Sequence, residues 1–245
     1  MRNFELSHRL QDVYNEVASV SRGGTLADVG TDHGLLPIAL VNDGHFERAV
    51  LTDVRSGPLE AAKKNVLKFA AEPERFETRL GSGFEILKPG EAGIISVCGM
   101  GGLLIASFIE KNPEVARAAE KLILEPNTCE SKLRRYLWDR DFVITNEKGI
   151  TEKGHPYIIM SAEHGKGRTE NYNENDLVFG KFIIERRSPD DLEYLSVLKR
   201  KIIISLSGME SGKNFNRDCP EARYRELTGA LDYLKGKTGE LYEKL

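Results

Sequence analysis

The chain has 245 residues, with 35 Lys+Arg against 38 Asp+Glu, a formal net charge of −3 and 40% hydrophobic residues. This balance excludes a disordered chain and gives no general attraction to polyanions, so nucleic-acid binding would need local patches. The length suits one large domain of roughly 150–200 residues with an appendage.

The opening segment "FELSHRLQDVYNEV" spaces Leu6, Leu10, Val13, Tyr14 and Val17 as an amphipathic helix. It reaches charged residues at once and has no apolar run of the secretory kind. "TLADVG" reads as a short buried strand ending in glycine, and "LLPIALVNDG" as a helix starting just after Gly34, with Pro37 in its tolerant first turn. "RAVLTDV" predicts a second strand with an acid at its end, followed by the helix "GPLEAAKKNVLKFAA" and by a third strand and loop in "RFETRLGSG".

Residues 92–109 form an eighteen-residue stretch without a charge, the length at which a membrane span becomes conceivable. Its four glycines and two serines favour instead a buried strand to Val97, a glycine turn and a helix start. "KLILEPN" predicts a fifth strand, "NTCESKLRRYLWDRD" a helix with Asn127 as N-cap, and "FVITNEKGITEKGHPYIIMSAE" two strands with no helix between them. Strand–helix alternation closed by such a pair implies an α/β Rossmann-like doubly wound sheet, mainly parallel with one antiparallel strand.

From about Asn171 the pattern is helical and charged, with Leu192, Leu195, Leu198 and Ile202 facing Leu227, Leu231 and Leu234 across a polar loop at 211–218. It is expected to form a small α-helical hairpin, coiled-coil-like, or a helical cap on the sheet. The domains are expected at 1–168 and 169–245. Cys98, Cys129 and Cys219 are odd in number and form no Cys-x-x-Cys pair, so a disulfide framework, a zinc knuckle and a resident metal are not expected, and a reducing cytoplasm is.

The first loop, Asp28-x-Gly30-x-x-x-Gly34, lacks the Gly-x-Gly-x-x-Gly spacing of dinucleotide folds, and Asp32 would repel a pyrophosphate. That disfavours an NAD-binding dehydrogenase. A cofactor without phosphate, S-adenosylmethionine, suits an acid at the strand end with glycines that let the backbone approach. Asp53, closing the second strand, stands where doubly wound sheets bind ribose hydroxyls.

The segments "LSHRL", "ADVGTDHGLLPIAL", "DVRSGPLEAA", "CGMGGLLIASFI", "LILEPN" and "NDLVFGKFI", spread from about Leu6 to about Leu206, resemble the bacterial tRNA adenine-22 N1-methyltransferase family. That family joins a class I S-adenosylmethionine-dependent methyltransferase domain to a C-terminal helical coiled coil. The resemblance implies methyl transfer to N1 of an adenine in tRNA, with Gly30, Asp32 and Gly34 shaping the methionine end of the cofactor site and Asp53 taking the ribose. It also implies that Gly81, Ser82 and Gly83 flank the adenine, and that Cys98, Gly99, Met100, Gly101 and Gly102 stand where other amino-methylating enzymes have an Asn-Pro-Pro-Tyr type motif.

The expected cofactor set is therefore Asp28, Gly30, Thr31, Asp32, His33, Gly34, Asp53, Val54, Gly81, Ser82, Gly83, Cys98, Gly99, Met100 and Gly101. Asp32 is the expected catalytic residue, with cofactor orientation as the alternative. Three positions depart from the family pattern: Ser82 replaces an acid, Cys98 an alanine, and Glu125 the glutamine of a Gln-Pro-Asn.

Because N1 lies on the pairing edge, the base must be unpaired or extruded, and Tyr157 and Met100 are candidate clamps. His33 is read as a base or phosphate contact or a helix cap. Arg134, Arg135, Lys181, Arg186, Arg187 and Lys199–Lys201 are the candidate tRNA phosphate contacts. A monomer is expected, without membrane association. The alternatives are a same-fold methyltransferase acting on another RNA or a small molecule, and a non-catalytic nucleotide- or RNA-binding module.

Overall fold

The computed structural model describes residues 4–165, 173–210 and 220–245, so the loop expected at 211–218 and Cys219 lie outside the described residues. The chain divides into two compact units, Met1–Asn146 with Ile158–Glu170, and Glu147–Tyr157 with Asn171–Leu245. The division runs through a terminal hairpin, giving its outer end to the helical unit.

In chain order the first unit contains α1 (His8–Val20), β1 (Thr25–Val29), α2 (Leu35–Asn42), β2 (Arg48–Asp53), α3 (Ser56–Phe69), β3 (Phe76–Leu80), β4 (Ile94–Gly101), α4 (Gly102–Lys111), α5 (Pro113–Ala118), β5 (Lys121–Thr128) and α6 (Glu130–Asp139). The hairpin β6 (Phe142–Glu152) and β7 (His155–His164) follows. The seven strands run in the order β3-β2-β1-β4-β5-β7-β6. β1, β2, β3, β4 and β5 pair in parallel, and β7 pairs antiparallel with β5.

β-branched and leucine side chains make the central strands fit a two-sided core. Leu26, Val50, Leu51, Val97, Ile123 and Leu124 are all fully buried. α2 has Leu36–Val41 buried, which explains an apolar sequence with hardly a polar face. α1 starts at Ser7, whose hydroxyl accepts the Leu10 N–H, and it buries Val13, Tyr14 and Val17. Its Glu16 carboxylate accepts from Asn146 Nδ2 at 2.9 Å and from the Ser161 hydroxyl, which holds the helix to this unit's strands. The uncharged 92–109 stretch takes in β4, which itself runs through Gly99 to Gly101, and most of α4, which starts directly at Gly102. Among the described residues no helix is long and apolar enough to cross a membrane.

Two local expectations change. α6 begins at Glu130 with Cys129, in left-handed geometry at φ 59°, as its N-cap residue, so Asn127 lies on β5 and is not the cap. Arg134 is fully buried: it sits three residues before Leu137 on the inward face of α6, and is not a surface cation.

The second unit contains α7 (Asp176–Phe179), α8 (Lys181–Arg186), α9 (Pro189–Glu210) and α10 (Pro220–Thr238). Ser196 and Lys199, in the first half of α9, donate to the carbonyls of Leu245 and Tyr242 at the end of the chain, as expected where two helices run in opposite senses. Leu195, Ile202, Leu227 and Leu234 are buried as the pattern predicts, together with Tyr194 and Ala230. Leu192, Leu198 and Leu231 are half-buried. Asp191 is buried and takes both Arg186 Nε and Nη2 at 2.7 Å. Burial alone would raise its pKa, but the Arg186 and Ser188 bonds bring it below the ordinary value. Gly149 at the hairpin's outer end is required there: a Cβ would lie 2.7 Å from the Tyr194 ring.

Candidate active site

At the carboxyl ends of β1, β2, β4 and β5 lies a cavity of 460 Å³. This is where doubly wound sheets bind ligands, and the volume is that of a small-molecule site. The loop after β1 forms one wall. Its Gly30 and Thr31 N–H groups both donate to Thr52 O, at 2.8 and 2.9 Å, folding the loop over the end of β2. Left-handed backbone at Gly30 (φ 76°), Asp32 (φ 49°) and Gly34 (φ 69°) makes the fold-over possible.

Asp28 anchors this loop from below. Its Oδ2 accepts the Thr31 hydroxyl and its Oδ1 the Ser96 hydroxyl, each at 2.6 Å. Burial pushes its carboxyl pKa up, while the Ser96 and Thr31 bonds partly oppose that. Asp53 closes β2 and is nearly buried. Its Oδ1 accepts the Arg55 N–H at 2.7 Å, and its second oxygen remains to accept from a ligand.

The opposite wall is an irregular turn inside the end of β4, where the pairing of β4 with β5 shifts register between Cys98 and Met100. Gly99 adopts φ 73° there, and its N–H donates to Glu125 Oε2 at 2.9 Å. The same oxygen accepts Arg9 Nη1 at 2.5 Å. Met100 reaches across the cavity to the first loop, so that a Cβ on Gly30 would lie 2.0 Å from the Met100 Cε. Burial and the charges of Glu125 and Asp28 push the Cys98 thiol well above its ordinary value, which makes it a packing group and a poor nucleophile.

A methyltransferase-domain family model matches residues 6–160. The tRNA (adenine(22)-N(1))-methyltransferase of Bacillus subtilis is 33% identical over 165 residues, covering 67% of this chain and 68% of that protein. The chain belongs to this methyltransferase family. The crystal structure of the B. subtilis m1A22 tRNA methyltransferase TrmK superposes with a TM-score of 0.76 at 26% identity, covering 95% of this chain and 98% of that one. A Streptococcus pneumoniae protein solved in complex with S-adenosyl-L-methionine is 30% identical, with a TM-score of 0.76 and coverage of 92% and 99%.

In this methyltransferase, Asp28, Gly30, Thr31, Asp32, His33, Asp53, Cys98, Gly99 and Met100 line the cavity. The remaining expected residues are not among its lining, and the glycines among them pack against neighbouring side chains. A Cβ on Gly34 would meet Leu51 Cδ2 at 2.8 Å and Ala62 Cβ at 3.3 Å, so that glycine lets the loop close onto β2 and α3. Gly81 packs against Ile86, Gly83 against the Phe108 ring of α4, and Gly101 against Thr128. The Ser82 N–H donates to Glu85 Oε1 at 2.8 Å, and Val54 is 65% exposed.

The Asp32 and His33 side chains are exposed, 3.6 Å apart, and the helix after them is capped by Gly34 with no side-chain cap bond. Tyr157 falls in the other compact unit. Arg9, Leu10, Leu35, Leu36, Arg55 and Asn127 also line the cavity. All six lay inside segments that carried the family resemblance: Arg9 and Leu10 in "LSHRL", Leu35 and Leu36 in "ADVGTDHGLLPIAL", Arg55 in "DVRSGPLEAA" and Asn127 in "LILEPN". Among the described residues no group of three or more His, Cys, Asp or Glu is arranged to hold a metal.

Proposed function

We propose that this protein transfers a methyl group from S-adenosylmethionine to N1 of adenine 22 in tRNA. The observation that carries the reading is the cavity built by the Gly30–Gly34 loop, the Asp53 carboxylate and the Gly99–Met100 turn, in a chain of this family. The residues fit the cofactor. The Gly30 backbone is bare where a side chain would intrude, and the nearly buried Asp53 keeps an oxygen for ribose hydroxyls. The first loop presents no array of phosphate-binding glycines.

Bound there, S-adenosylmethionine supplies an electrophilic methyl group on a sulfonium. The protein's part is alignment and charge handling, because adenine N1 is already a nucleophile at neutral pH. Asp28 and Thr52 fix the loop that carries Asp32. We assign Asp32 the catalytic role: its exposed carboxylate lines the cavity, and in this reading it accepts from the exocyclic amino group and stabilises positive charge developing on the ring. Leu103 and Leu104, 54% and 48% exposed in the first turn of α4, offer apolar surface beside Met100 for an extruded base.

The methyltransferase domain, 1–168, carries the chemistry in this reading, and the helical domain, 169–245, contributes phosphate contacts in a cytoplasmic setting. The exposed Arg200 and Lys201 of α9 are the best-placed cations of the charge run. Incubation with labelled S-adenosylmethionine and unmodified bacterial tRNA, followed by nucleoside digestion, tests the reading. Label in N1-methyladenosine supports it, and cofactor binding without label rules it out.

A further inference from the structure

Arg9 and Glu125 are 116 positions apart and meet beside the cavity. Glu125 is fully buried at the end of β5, in the ladder opposite Cys98. One of its oxygens serves two elements: Oε2 accepts Arg9 Nη1 from α1 and the Gly99 N–H from the irregular turn inside the end of β4. That turn is where the ladder loses register, so the Gly99 N–H goes to a side chain at the point where the regular strand bond is interrupted. The buried carboxylate needs a cation, and Arg9, with 26% of its side chain exposed and lining the same cavity, supplies it.

We propose that Glu125, charge-compensated by Arg9, is a positioning residue that clamps the Gly99 amide and thereby sets Cys98, Gly99 and Met100 along the cofactor cavity, making α1 part of the catalytic scaffold. The proposal rests on the methyltransferase reading for its kinetic consequences. Its structural half, the clamp on one amide, stands independently of activity.

The chemistry of the pair dictates the variants. Glu125→Gln keeps an acceptor for Gly99, while Glu125→Ala removes it. Arg9→Met leaves a buried carboxylate without its partner, and Arg9→Met with Glu125→Gln removes both charges and keeps the acceptor. A turn released by about 1 Å in a transfer reaction costs on the order of 10²-fold in rate. At saturating cofactor and tRNA, Arg9→Met is therefore expected to lose about that much kcat, and the double variant to regain about tenfold of it. Amide hydrogen exchange at Gly99, followed by NMR on the full chain, is expected to speed up by about tenfold in Glu125→Ala and by much less in Glu125→Gln; a lost bond of ordinary net strength gives a change of this size.

A purely structural pair would restore the melting temperature in the double variant without restoring kcat, and that result overturns the proposal. Equal Gly99 exchange in Glu125→Ala, Glu125→Gln and the wild type also overturns it, including when Arg9→Met fails to fold. If the wild-type protein methylates no tRNA but Gly99 exchange follows the expected order, the functional reading fails while the clamp stands.

Discussion

Replacing Gly30 with alanine perturbs the site at its tightest point. The backbone there is left-handed at φ 76°, which costs an L-residue with a Cβ about 1–2 kcal/mol. The loop cannot relax freely, because the Gly30 and Thr31 N–H groups are both bound to Thr52 O and each bond contributes about 1 kcal/mol net. The new methyl would also lie 2.0 Å from Met100 Cε and 3.7 Å from its Sδ.

Met100 ends in a flexible methyl, so it yields before the loop does, and it lines the very cavity into which it can swing. The backbone term should therefore appear as stability, lowering Tm by roughly 2–8 °C for a chain of this size. The displaced methyl should appear as affinity, raising the S-adenosylmethionine Kd roughly 5- to 30-fold for a loss of about 1–2 kcal/mol. Scanning and titration calorimetry separate the two. Adding Met100→Ala should recover much of the affinity and none of the Tm. A Gly30→Ala protein with Kd within about twofold of wild type and an unchanged Tm would show that the loop and Met100 do not meet as described.

The other expected outcomes concern separate groups. Asp32→Gly relieves a left-handed φ of 49° while adding chain entropy, so Tm should stay near wild type; kcat should nevertheless fall about 10²-fold with cofactor Kd little changed if the carboxylate is catalytic. A drop in cofactor affinity alone would make Asp32 an orienting group. Asp53→Ala should weaken cofactor binding by about 1.5–3 kcal/mol, the range for a hydrogen bond to a charged group, measured by titration calorimetry. Unchanged affinity would remove Asp53 from the ribose site.

The Arg79 guanidinium holds Glu91 down to about 2 from 4.5. A depressed carboxylate stabilises the fold above pH 4.5 and loses that contribution as pH falls towards 2, so wild type should exceed Glu91→Gln by about 1 kcal/mol near neutrality in urea unfolding. The gap should close in acid; a gap independent of pH would contradict the pairing. Arg200→Ala with Lys201→Ala should weaken tRNA binding and flatten its logarithmic salt dependence by about one unit per lost contact. An unchanged slope would place the tRNA elsewhere.

The sheet was readable because its strands are short apolar runs closed by glycine or an acid, and because the final pair had no intervening helix. The residues Asp28, Gly30 and Asp53, singled out from the acid and glycine pattern, do come together around one cavity. Arg9, Arg55 and Asn127 were not legible as its lining, since their place in the cavity depends on α1 returning to β5, on the turn after β2 and on the irregular end of the β4–β5 ladder. Arg134 was misread as a surface cation although its spacing to Leu137 already placed it on the buried face of α6. The glycines at Gly34, Gly81 and Gly83 leave less than 3.0 Å for a Cβ, and packing and ligand approach leave the same mark in a sequence.

The most direct measurement is methyl transfer to two unmodified tRNA transcripts that differ only at position 22, one with adenine and one with guanine. Label in N1-methyladenosine from the first and none from the second is the expected result. Equal labelling of both, or none of either despite cofactor binding, would contradict adenine 22 as the target.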